Sequence, residues 1–128
     1  MDALMFDYYL NKKQLKKAIE MYKKFSQMKF LKDYYLLDMG LINLAMGELN
    51  KALTFSEQMQ DPAIHRYARG YAYPRSFYLK GLIYEAMDND SLAIENYQAL
   101  LELWKDADEE IPERRDTIKR LAALKQGS

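Results

Sequence analysis

Three alanines set the frame for this chain. The segments LKKAIEMY, LNKALTFS and SLAIENYQ place Ala18, Ala52 and Ala93 in matching settings of helix-forming residues. Twelve residues before each alanine stand Phe6, Gly40 and Gly81. Ala18 and Ala52 are 34 residues apart, and Ala52 and Ala93 are 41 apart, one period plus seven. A repeat of this length constrains a fold strongly, because no unit can bury its apolar face alone and each must stack on the next. Gly40 and Gly81 are expected to let the first helix of a pair approach the second closely, opposite Ala52 and Ala93. Tyr84 and Tyr97 are expected to fill the space between units. Phe6 breaks the glycine rule, which predicts a first pair that is splayed or shifted in register.

The units read as helical. Only five glycines and three prolines interrupt 128 residues, β-branched residues are scarce, and apolar residues recur every three or four positions. The spacing predicts helices over about 2–12, 14–29, 32–46, 48–60, 74–88 and 90–105. Gly47-Glu48 and Asn89-Asp90 make the tight turns within pairs, with Asp90 or Ser91 as a helix cap. A seventh helix over about 112–125 follows from Pro112 at a first turn, acids around it, and Lys119, Arg120 and Lys125 towards its end. Its apolar stripe, Ile111, Ile118, Leu121 and Leu124, is expected to cover the last repeat. The expectation is one all-α domain over 1–126, a helical-hairpin solenoid of three pairs plus a C-terminal capping helix. Gly127-Ser128 stand outside it.

A 34-residue period of paired helices resembles the tetratricopeptide repeat, with its pattern W-x2-L-G-x2-Y…A-x3-F…P. The third unit, about 74–105, carries Phe77 for the tryptophan, then Gly81, Tyr84, Ala93 and Tyr97, with Lys80 in place of the leucine and Lys105 in place of the proline. The second, about 32–62, keeps Met39, Gly40 and Ala52, with Leu36 for the tryptophan and Asn43 and Ser56 for the two aromatics. The first, about 1–31, keeps Met5, Tyr9, Ala18 and Tyr22, but has Asp2 and Phe6 at the tryptophan and glycine positions. The run LELWKDADEEIPE is similar to the closing segment of tetratricopeptide regions in bacterial multidomain signalling proteins.

The resemblance implies a concave groove, lined by the first helix of each pair, that holds a partner helix or peptide. The groove positions are Ala3, Asp7, Leu10 and Asn11; Tyr34, Leu37, Leu41 and Leu44; and Arg75, Tyr78, Leu82 and Glu85. Family members that clamp a terminal carboxylate use two lysines, two asparagines and an arginine. The matching positions here hold Ala3, Asp7, Asp38, Arg75 and Leu79, so only Arg75 fits and that clamp is not expected. The apolar centre of the groove suits an amphipathic helix. The implied function is protein–protein interaction, as a scaffold or regulatory module within a larger protein.

Charge adds a gradient. The chain balances 19 basic against 19 acidic residues, yet residues 1–32 carry a net +5 and residues 84–128 a net −5. Leu4, Met5, Tyr8 and Tyr9 have no preceding unit to cover them, so self-association through the first helices is expected, as an antiparallel homodimer. The lysines of residues 12–32 read as a solvated face, or as a site for an acidic partner.

The stretch HRYARGYAYPRS, residues 65–76, interleaves arginine with tyrosine as single-stranded nucleic-acid binders do. It is also the seven-residue excess between units. Ile64, Tyr67, Ala68 and Tyr71 are spaced as a helix face, so about two extra helical turns are expected before or after a break at Gly70. The tyrosines of a joint would pack between units while its arginines stay solvated, and Pro74 would start the following helix. The joint is preferred, with nucleic-acid binding as the alternative. No enzyme is expected. His65 is the only histidine, cysteine is absent, and no glycine-rich phosphate loop occurs. The runs DND (88–90) and DADEE (106–110) lack the glycine and distal glutamate of a calcium loop. No cofactor, metal or membrane partner is expected, and with neither a signal peptide nor a spanning segment the expected location is cytoplasmic.

Overall fold

A computed structural model of the chain describes residues 35–64 and 66–127, with residues 16, 17, 19, 20, 23 and 24 before them; of residues 66–69 only the backbone is described. The expected helix over 2–12 lies outside these residues, and the described positions between 16 and 24 are helical.

From Leu36 onward the described residues form five helices and no strand: α1 (Leu36–Ala45), α2 (Leu49–Met59), α3 (Arg66–Ala86), α4 (Asp90–Leu103) and α5 (Pro112–Gln126). Each helix packs on the next, α1 also touches α3, and α3 also touches α5. The core between them holds Leu36, Leu41, Met59, Leu79, Ile83, Tyr97, Leu100 and the two alanines Ala52 and Ala93.

The turns after α1 and α3 are built alike. The N–H groups of Met46, Gly47 and Glu48 donate to the carbonyls of Ile42, Leu44 and Asn43. Those of Met87, Asp88 and Asn89 donate to Ile83, Glu85 and Tyr84, the same pattern 41 residues on. This closure places its sixth residue in the left-handed region. Gly47 takes φ 79° and Asp88 takes φ 58°. The following helix is capped by Asn89, whose Oδ1 accepts from the Leu92 N–H at 3.1 Å, not by Asp90 or Ser91. The helix starts at Asp90 as expected, so the residue just before it, Asn89, is the one placed to meet the free N–H groups of the first turn.

Four other expectations are corrected. α3 starts at Arg66 and runs through Pro74. Proline removes one amide donor and crowds the preceding turn. Beside it the Arg75 guanidinium donates to the Tyr71 carbonyl and the Ser76 hydroxyl to the Tyr73 carbonyl. Gly40 lies closest to Leu79 of α3, in the neighbouring hairpin, and not to Ala52. Gly81 faces the ring of Tyr97, so this tyrosine fills space inside its own helix pair and not between pairs. In α5 the buried face is Glu113, Thr117 and Leu121, four residues apart, while Ile118 is 45% exposed. Glu113 can be buried because Arg75 neutralises it, a pairing that an apolar stripe does not reveal.

Candidate functional site

The face of α3 expected to line an open groove lies against α5. Arg75 Nε donates to Glu113 Oε1 at 3.2 Å, and Glu113 is almost fully buried. Tyr78 Oη donates to Asp116 Oδ2 at 2.6 Å. Arg120 donates through Nε to Asp116 at 2.7 Å and through Nη1 to Glu85 at 3.1 Å. Glu85 also accepts from the Tyr97 hydroxyl. Tyr97, Glu85, Arg120, Asp116 and Tyr78 thus form one chain of hydrogen bonds across three helices. Partner numbers rise together along α3 and α5, so the two helices run parallel.

Burial and the Asp116 carboxylate push the Tyr78 hydroxyl pKa far above its ordinary range. Burial and Glu85 do the same to Tyr97. For Arg120 burial works against the charge, but Asp116 and Glu85 outweigh it and hold the guanidinium protonated. Both tyrosines are therefore fixed as neutral donors and both carboxylates as acceptors. Such a layer fixes register and position.

Arg75 is also stacked. Its guanidinium carbon lies 4.0 Å from the Tyr71 ring centre and 5.0 Å from that of Trp104. The arginine was expected to stay solvated; its two ring contacts and the buried Glu113 hold it in the joint instead. With Tyr73 edge-on to Phe77 at 5.4 Å between ring centres, one arginine and two tyrosines of the stretch 65–76 are engaged within the protein. His65 and the side chains of Arg66, Tyr67 and Arg69 lie outside the described residues.

Leu37, Leu41 and Tyr78 are each 1% exposed and Leu82 is 5% exposed. As groove-lining residues they are corrected: the first helices pack directly on one another, α1 on α3 and α3 on α5, which encloses these side chains. Leu44, Arg75 and Glu85 are half-buried. Asp7, Leu10 and Asn11 of the expected groove, and Leu4, Met5, Tyr8 and Tyr9 of the expected self-association surface, lie outside the described residues.

An open hollow occurs elsewhere. It has a volume of about 390 Å³, with Met39 and Ile42 from α1, Met46 just after it, Phe55 from α2 and Ile19 making its apolar lining. Asn43, Lys23 and Lys51 complete it. Met46 is 42% exposed, and Lys16, Lys17, Lys23, Lys24 and Lys51 are exposed nearby in sequence or space. The hollow went unpredicted because the repeat pattern assigns Met39 to packing and gives no role to Ile42. Met46 just past the helix end was the available signal.

Among the described residues, no cluster of histidine and carboxylate side chains is placed to hold a metal ion, and no helix is long and apolar enough to cross a membrane. Comparison of the chain with family models, with curated proteins and with solved structures gives no match.

Proposed function

We propose that the chain is a helical-repeat module of tetratricopeptide type that binds a segment of another protein and has no catalysis of its own. Two features support the repeat reading. The turns at 44–48 and 85–89 share one hydrogen-bond pattern, and first helices stack on first helices. The observation that carries the binding reading is the hollow beside α1 and α2. A cavity of a few hundred cubic ångströms with an apolar lining and a few polar groups is the usual form of a ligand site. Methionines at its floor and rim adapt to differing side chains. The hollow accepts one or two apolar anchor residues of a partner segment, and Lys51 favours an acidic residue beside the anchor.

Selection of displayed helical peptides against the full chain tests this reading. Enriched peptides should share an apolar anchor and an acidic neighbour. Met46→Glu, an exposed change that leaves the helices intact, should weaken them at least tenfold. Peptides that bind equally well to the Met46→Glu chain, or none enriched at all, would remove the hollow as the site.

A further inference from the structure

α5 sits on α3 through an unusually polar seam. Of its three buried residues, Glu113 and Thr117 are polar and only Leu121 is apolar, with Leu124 packed at the margin. The seam is held by Arg75–Glu113, Tyr78–Asp116 and Glu85–Arg120, spread over both helices at 2.6–3.2 Å. Two of the three buried residues of α5 are thus polar, and a terminal helix held in this way belongs to the elements that open locally before the rest of a fold does. The seat it leaves is specific: a cation, a hydroxyl donor and a carboxylate in fixed order, which a helix with acid, acid and arginine at positions n, n+3 and n+7 matches. The one helix here with that order is α5 itself.

The segment before α5 permits transfer. Residues 104–111 include the exposed acids Asp106, Asp108, Glu109 and Glu110. Fully extended, eight residues span about 26–29 Å, enough to cross to a neighbouring molecule, and extension relieves the repulsion of the four acids.

We infer that the α3 face bearing Arg75, Tyr78 and Glu85 is an interaction surface for α5 of a second copy, and that two chains pair by exchanging these helices. The exchanged pair contains two complete seats, each made of α3 and α4 from one chain and α5 from the other. In the closed chain the tether favours α5 of the same molecule, so exchange shows at high protein concentration or when the seam is loosened. The inference needs only α3, α4 and α5 and stands apart from the hollow beside α1.

Charge reversal in two different chains tests it. In Glu85→Arg alone, cations face each other at positions 85 and 120; in Arg120→Glu alone, anions do. When the two variants are mixed and exchange α5, every seat brings opposite charges together. Native mass spectrometry, with one chain isotopically labelled, should show the mixed dimer at least tenfold above either variant's own dimer. The unaltered chain, warmed gently at high concentration and cooled, should yield a dimer that persists on dilution. The double variant Glu85→Arg/Arg120→Glu in one chain, which restores the pair internally, checks that both changes are tolerated in the fold. An unaltered chain that stays monomeric throughout, or dimers that form equally in mixed and unmixed samples, would overturn the exchange. The second outcome would point to a surface outside α3 and α5, such as the N-terminal helices.

Discussion

The hairpins α1–α2 and α3–α4 share a turn and an alanine, yet they use their central glycine in opposite ways. In α3–α4, Gly81 admits the ring of Tyr97 from the partner helix, and the ring's hydroxyl goes on to Glu85. In α1–α2 the position matching Tyr97 is Ser56, fully buried, its hydroxyl turned back to the Leu53 carbonyl. No ring reaches Gly40, and its nearest neighbour is Leu79 from the other hairpin. The first hairpin uses its glycine for approach between hairpins, the second for a large side chain within one. The same division extends to the stacking of the first helices. α1 meets α3 where Leu79 closes on Gly40, whereas α3 meets α5 through paired polar groups. One backbone frame thus supports an apolar seam and a polar seam, depending on a handful of side chains.

The largest effect should come from Leu41→Glu and Leu82→Glu. Each places a charge among buried side chains at a cost of several kcal/mol, comparable to the whole stability of a domain this size. Both variants should lose cooperative thermal unfolding by circular dichroism. A folded Leu82→Glu beside an unfolded Leu41→Glu would mean the two seams differ in burial as well as chemistry.

Next comes Tyr97→Phe, which removes a hydrogen bond to a carboxylate worth about 1.5–3 kcal/mol. It also bears on alkaline stability. Tyr78 and Tyr97 have folded-state pKa values above the ordinary 10.0. The unfolded chain therefore releases protons first as pH rises past 10, and each tyrosine removes about 1.4 kcal/mol of stability per pH unit beyond that point. Below pH 10 their contribution is fully present. Urea denaturation from pH 8 to 11 should show this fall, and Tyr97→Phe should halve the part due to the pair.

Gly81→Ala should cost about 1–3 kcal/mol of overpacking, because a Cβ there meets the rigid Tyr97 ring. Gly40→Ala meets the end of Leu79, a side chain that can rotate, and regains up to about 1 kcal/mol of helix propensity. Equal losses in chemical denaturation would erase the distinction between the two glycines. The smallest change concerns the turns. Left-handed backbone disfavours side chains by about 1–2 kcal/mol, so Asp88→Gly should raise stability and Gly47→Ala should lower it, each by about 1 kcal/mol.

Much of the helical frame was legible. α1, α2, α4 and α5 fall within a few residues of their expected bounds, because the 41-residue offset between Gly40 and Gly81 and between Ala52 and Ala93 survives in the folded chain. α3 was misplaced at its start, since Pro74 reads locally as a beginning. The site was less legible. Leu37, Leu41 and Leu82 carry the right pattern for a lined face, but pattern alone does not say whether that face meets a ligand or the next helix. The polar seam joins residues 35–38 positions apart, a separation at which neither helical periodicity nor the repeat gives a cue.

α3 touches each of α1, α2, α4 and α5. Stacked-repeat proteins commonly nucleate at one unit and fray from their ends, since each unit contacts only its neighbours. Here a single 21-residue segment is shared by all the packing interfaces but those of α1 with α2 and of α4 with α5. A nucleus that forms α3 with α4 already holds the docking surfaces for everything else, and loss of α3 leaves two unconnected fragments. The kinetic consequence is a keystone arrangement: folding should proceed outward from residues 66–103 and unfolding of this core should be all-or-none, with changes in α3 felt in the folding rate and changes in α5 felt in the unfolding rate.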